Sequence, residues 1–202
     1  MSRPEGEDVV SEALRAWGAG DDDALADLLR LLDADLRRMA RQRLGRLNDG
    51  LRPGGRKASL ASGEVVREMF MRLSRGRRDW VNRSHFFAIA AHQMRNICRD
   101  HAREILAQKR GGDLQRVSAS HLLSVAAPPS MDPADLLALD AALTALTALD
   151  ARQASVVEML FFAGLTTEEV AAALDMSEST VKREWRSARA WLRAFLDGMP
   201  QS

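Results

Sequence analysis

Tyrosine is absent from the 202-residue sequence, and Trp and Phe together make up only 5% of it. Ala, Leu and Arg dominate instead, a composition that favours helices packed through Leu and Ala over a β-sandwich. One cysteine, Cys98, excludes an intramolecular disulfide and any Cys-rich zinc site. No run approaches the roughly 20 apolar residues of a membrane span. The amino terminus, Met1 to Asp8, is polar and acidic, the wrong chemistry for a secretory signal. There is no phosphate-binding glycine loop, nucleophile elbow or catalytic-loop signature. These absences lead to the expectation of a cytoplasmic, soluble, all-α protein that makes no membrane contact and is not an enzyme.

Net charge is also nearly missing, at +1, yet the charges are segregated. Residues 1–35 carry 10 acids and 3 bases, and 64–110 carry 11 bases and 5 acids. Residues 132–175 reverse this with 8 acids and 1 base, before Lys182, Arg183, Arg186, Arg189 and Arg193 form a second basic island. Two basic islands on acidic scaffolds suggest two contact surfaces for a phosphate backbone, with the acidic surfaces left for a protein partner. A solvated helix face is the competing reading of each block.

Periodicity near 3.6 recurs almost everywhere, and nothing alternates with period 2. Helices are expected near 7–17, from the Asp21-Asp22-Asp23 run to about Leu44, from Ser62 to Leu73 and from Ser84 to Gln108. Glycines and Pro53 mark 45–60 as a loop. Gly111-Gly112 closes this half, and the stretch 111–131, ending in Pro128-Pro129, reads as a flexible linker. Asp132-Pro133 then opens a new helix, with Asp as N-cap and Pro in the first turn. Two small helical domains, 1–110 and 132–202, are expected.

The strongest local signal is the run from Gly164 to Arg183. Thr166 and Glu169 have capping-box spacing and start a short helix. Asp175-Met176-Ser177 forms a tight turn, and Ser177 can cap the next helix. On that helix Val181, Trp185, Ala188, Leu192 and Phe195 recur at core spacing. Ser179, Thr180, Lys182, Arg183 and Arg186 lie near its start, where a helix-turn-helix puts base-edge and phosphate contacts.

The other island mixes aromatics with Arg and Asn from Trp80 to Arg103, as proteins do to hold unstacked bases of single strands. Here the chain resembles the extracytoplasmic-function (ECF) group of bacterial sigma-70 factors, and within it a subfamily labelled ECF-like. Gly164 to Ala171 and Ser179 to Leu192 are similar to that family's region 4, Glu64 to Leu73 to region 2.2, and 84–103 to regions 2.3–2.4. Asp175 stands where many members have Gly, and Ser62-Gly63 with Arg67-Glu68 departs from the usual region 2.2 pattern. Nothing resembles region 3 or region 1.1.

The resemblance implies a promoter-specificity subunit that binds core RNA polymerase and promoter DNA, both duplex and melted strand, and leaves room for an anti-sigma factor. It puts polymerase docking on Glu64, Arg67, Glu68, Phe70 and Met71. It puts −10 recognition and melting on Trp80, Asn82, Arg83, His85, Arg95, Asn96, Arg99 and Arg103. It puts −35 recognition on Ser179, Thr180, Lys182, Arg183 and Arg186. No catalytic residue, cofactor or metal is implied. The four histidines match no common zinc spacing, and Cys98 reads as core. An autonomous helix-turn-helix regulator that binds duplex DNA without polymerase is the alternative, and a pure protein-interaction module is a third reading.

Overall fold

The computed structural model describes residues 5–21, 23–49, 62–75, 82–108 and 132–198. Four helices form the first half: α1 (Glu5–Gly18), α2 (Asp23–Asp49), α3 (Ser62–Arg75) and α4 (Arg83–Gln108). The second half holds α5 (Pro133–Leu149), α6 (Ala151–Glu158), a π-helical turn (Met159–Ala163), α7 (Thr167–Ala173) and α8 (Glu178–Asp197). Among the described residues there is no strand, and no helix is long and apolar enough to cross a membrane. The expected linker 111–131 lies outside the described residues.

The helix ends follow the local chemistry. Gly20 turns the chain at φ +100°, and the Asp21 carboxylate then accepts the backbone N–H of Asp23 at 3.0 Å to open α2. That helix runs to Asp49, past the expected end near Leu44. Gly45 costs about 1 kcal/mol in a helix interior relative to Ala, and the Arg and Leu residues around it are strong enough helix formers to carry α2 through. Asp132 caps α5, accepting from the Ala134 N–H at 2.8 Å, with Pro133 in the first turn as expected.

The break between α5 and α6 is less visible in the sequence. Asp150 adopts an extended conformation, and its carboxylate accepts the N–H groups of Arg152 and Gln153, both at 3.0 Å. The π-helical turn ends at Gly164, whose φ of 66° is left-handed. Without a Cβ, glycine adopts that conformation at little cost.

Helix α4 is the centre of the molecule. It packs against α1, α2 and α3 on one side and against α5, α6, the π-helical turn and α7 on the other. Its sequence fits this position, because buried residues occur around most of its circumference: Phe86, Phe87, Ala90, Ala91, Met94, Ile97, Cys98, Ala102 and Ile105. A helix that is apolar on several faces must be enclosed by others. The buried core therefore runs continuously from one half of the described chain to the other. Cys98 is part of this core, as its position on the helix predicts.

Candidate nucleic-acid interface

The helix-turn-helix is built by caps. Thr166 Oγ1 accepts the Glu169 N–H at 3.1 Å, and Glu169 Oε2 accepts the Thr166 N–H at 2.7 Å, a reciprocal capping box. Asp175 occupies the left-handed region at φ 51°, which Asp tolerates better than most residues, and so the turn closes without glycine. Ser177 Oγ then accepts the Thr180 N–H at 3.2 Å and starts α8.

Val181, Ala188 and Leu192 are fully buried on the inner face of α8. Trp185, Trp191 and Phe195 pack against the same core, with Trp191 and Phe195 stacked at 5.2 Å. The expected core stripe is thus where the periodicity puts it. Ser179, Lys182, Arg183 and Arg186 are exposed, at intervals that put them on one face near the start of the helix. Lys182 pairs with Glu178 at 3.1 Å, but both side chains are at least half exposed, and such a pair contributes only about 0.3–0.5 kcal/mol. A phosphate can displace it. Thr180 is half-buried, with its hydroxyl 2.9 Å from Ser177 Oγ in the cap.

The residues expected on α4 have more varied surroundings. Asn82 Oδ1 accepts the His85 N–H at 2.8 Å and acts as the cap of α4. Arg83 reaches Asp35 on α2 at 2.7 Å and lies over the Phe87 ring at 4.8 Å. His85, Asn96 and Arg99 are half-buried, with Arg99 against Asp100 at 3.2 Å, and Arg103 is exposed. Trp80 lies outside the described residues.

Arg95 corrects an expectation. As an outward base for nucleic acid it should be open, yet its side chain is only 6% exposed. Its Nε donates to Asp140 Oδ1 at 2.7 Å, and its Nη1 to Glu158 Oε1 at 2.7 Å. Its Nη2 donates to the Asp140 carbonyl at 2.7 Å and to Thr144 Oγ1 at 2.6 Å. The physical reason is that α5 and α6 cover this side of α4 and bring the carboxylates of Asp140 and Glu158 to Arg95.

His92, one turn before Arg95, lies with Nδ1 3.2 Å from Glu158 Oε2. Its hydrogen bond to Glu158 outweighs both burial and the repulsion of Arg95 and Arg99, and holds its pKa above the ordinary imidazole value. Burial pushes Glu158 up, but hydrogen bonds and charge from His92 and Arg95 prevail and hold it below the ordinary carboxylate value. Asp140, Glu158 and His92 were not singled out by motif. The signal available was charge, because the acidic block 132–175 supplies the partners of the basic block on α4. Part of the acidic surface expected to face a protein partner therefore faces α4.

On α3, Glu64, Arg67, Glu68 and Met71 are exposed, and Arg72 links the helix to α4 through Asp100 at 3.0 Å. Phe70 is the second correction: it is buried with Val65, Val66, Met69 and Leu73, because it falls on the apolar stripe of α3. Among the described residues no group of three or more His, Cys, Asp or Glu side chains is placed to hold a metal ion.

A basic α8 face on a capped helix-turn-helix, behind an Arg-rich central helix, is matched over nearly the whole chain by one family. The family model described as ECF sigma factor matches residues 7–198. The chain belongs to the ECF sigma factor family. No curated protein matches it. As an ECF sigma factor it is an RNA polymerase sigma factor with a role in transcription initiation, a family whose members work with core RNA polymerase and promoter DNA. The helical architecture agrees with membership of the ECF sigma factor family.

Proposed function

We propose that this ECF sigma factor binds core polymerase through the exposed α3 positions Glu64, Arg67, Glu68 and Met71, and directs it to promoters with two sequence elements. In this reading Ser179, Lys182, Arg183 and Arg186 enter the major groove of the upstream duplex, and Thr180 holds the helix start from which they project. Asn82, Arg83, His85, Asn96, Arg99 and Arg103, with Trp80, meet the downstream element and its melted strand. Asn96 is the candidate reader of an unpaired base, since a carboxamide can donate to and accept from one base edge. The observation that carries the reading is the exposure of a four-residue polar and basic face at the start of α8, all on one side of a capped helix.

Run-off transcription with purified bacterial core polymerase, on fragmented genomic DNA from the source organism, tests it. Discrete transcripts that depend on the added chain are expected. Binding to duplex DNA without any binding to polymerase would instead identify an autonomous regulator.

A further inference from the structure

We propose that the groove between α1 and α2 is a docking site for a basic amphipathic helix of a partner polypeptide, separate from the α3 positions read as facing polymerase.

The groove has a volume of about 480 Å³, within the ordinary range of binding pockets. Val9, Ala13 and Ala16 of α1 and Ala24 and Leu31 of α2 supply its apolar lining. Val9 and Leu31 are 51% and 43% exposed. They are two of the four large apolar side chains left open among the described residues, and both fall in this one groove. Covering them is favourable, because removing apolar surface from water drives most protein association.

The walls of the groove are already fixed. α1 packs against α2, and Leu14, Trp17, Leu28 and Leu32 are fully buried in the core. The site is therefore preformed, and binding does not have to order it. Small side chains at Ala13, Ala16 and Ala24 let a third helix come close, with its ridge of side chains lying between α1 and α2.

Charge selects the partner. Glu12, Asp21, Asp23 and Asp27 line the groove, against Arg30. Arg30 offsets Asp27, 3.0 Å away, and the other carboxylates keep the lining negative. Residues 1–35 hold 10 acids and 3 bases, so the surroundings reinforce that field. Asp140 and Glu158 are turned to α4, whereas all four acids of the groove are exposed. Nucleic acid and acidic membrane surfaces are repelled here. A helix with leucine-type anchors at i, i+3 or i+4 and i+7, flanked by Lys and Arg, matches both the apolar lining and the acidic border. Among the described residues there is no strand edge to take an extended peptide, which favours this helix-in-groove mode.

The test uses the full chain and a fluorescein-labelled peptide of about 15 residues, or about four helical turns. Leucines lie on one face of this probe and lysines and arginines on the rest. A control peptide has the same composition with its leucines spread around the helix. Fluorescence anisotropy should show the amphipathic peptide binding about tenfold more tightly than the control. Val9→Asn/Leu31→Asn removes the exposed apolar contacts and should weaken binding by about tenfold. Glu12→Gln/Asp27→Asn should weaken it by about fivefold at low salt and by less at high salt, where charge is screened. All four positions are exposed, and circular dichroism should show both variants folded as the wild type.

Equal binding of the two peptides would reduce the contact to general charge attraction and overturn the site. So would an affinity unchanged in Val9→Asn/Leu31→Asn. Binding of that variant to core polymerase should match the wild type. Lost polymerase binding would make the groove part of the polymerase-docking surface and overturn a separate partner. Sedimentation of the chain alone should show a monomer. A dimer that Val9→Asn/Leu31→Asn dissociates would make a second copy the occupant instead and overturn the proposal.

Discussion

Arg95 and Glu158, 63 positions apart in the chain, meet at 2.7 Å across the contact between α4 and α6. This one charge-assisted hydrogen bond joins the basic block of the first half to the acidic block of the second. It also places a titratable imidazole, His92, on the other carboxylate oxygen of the same residue.

A pH dependence follows. His92 is held above its ordinary value of 6.5, so its contribution to the folded state is complete below that value and is lost as pH rises through the higher folded value. Glu158 is held below its ordinary value of 4.5, so its contribution is present above that value and is lost as pH falls through the lower folded one. The two contributions overlap between 4.5 and 6.5. Because half of His92 is solvent-exposed, screening keeps its part below about 1 kcal/mol. Urea midpoints measured from about pH 5 to 8 should fall toward the alkaline end in the wild type and fall less in His92→Ala. Identical profiles would remove His92 from the contact.

Asp175→Gly should stabilise the protein. Asp175 holds φ at 51°, a conformation that costs a non-glycine residue about 1 kcal/mol. Relief of that cost, less the added chain entropy of glycine, should raise the melting temperature by a few degrees at most, about 2–4 °C. Calorimetry checks it, and a fall in Tm would show that the Asp175 carboxylate itself supports the turn.

Arg183→Ala should weaken binding to promoter duplex and reduce the slope of log K against log salt by about one. Arg183 is two-thirds exposed, and its contact with Glu184 is long at 3.4 Å, so its removal leaves the α8 core untouched. A wild-type slope in the variant would place Arg183 off the DNA.

The parts legible in the sequence share one property: they depend on neighbours within about one helical turn. Thr166 with Glu169, Asp132 with Pro133, and Ser177 before α8 are local hydrogen-bonding arrangements, and each appears where its spacing predicts. The buried stripe of α3 is legible for the same reason, because Val65, Val66, Met69 and Leu73 recur at helical spacing, and all four are buried. Phe70 lies on that stripe too, and its assignment to a docking surface set a family pattern against a periodicity that already put it inside.

Arg95 was illegible for a different reason. On α4 apolar residues surround the helix, so spacing cannot tell an outward arginine from one enclosed by a partner helix. Its fate depended on where α5 and α6 would lie, and on carboxylates 45 and 63 residues further along. The excess of acid over base in 132–175 was the trace of this pairing, but a charge count does not say which acid meets which base.

By itself, then, the sequence determined the helical class, the caps and turn of the helix-turn-helix and the outward basic face of α8, because hydrogen bonds and periodicity within a few residues specify them. Only the tertiary structure decided that α4 is the enclosed central helix and that Arg95 is held by Asp140, Thr144 and Glu158. Those contacts exist only once two distant segments pack, and a buried charge must then take whatever partner the packing supplies.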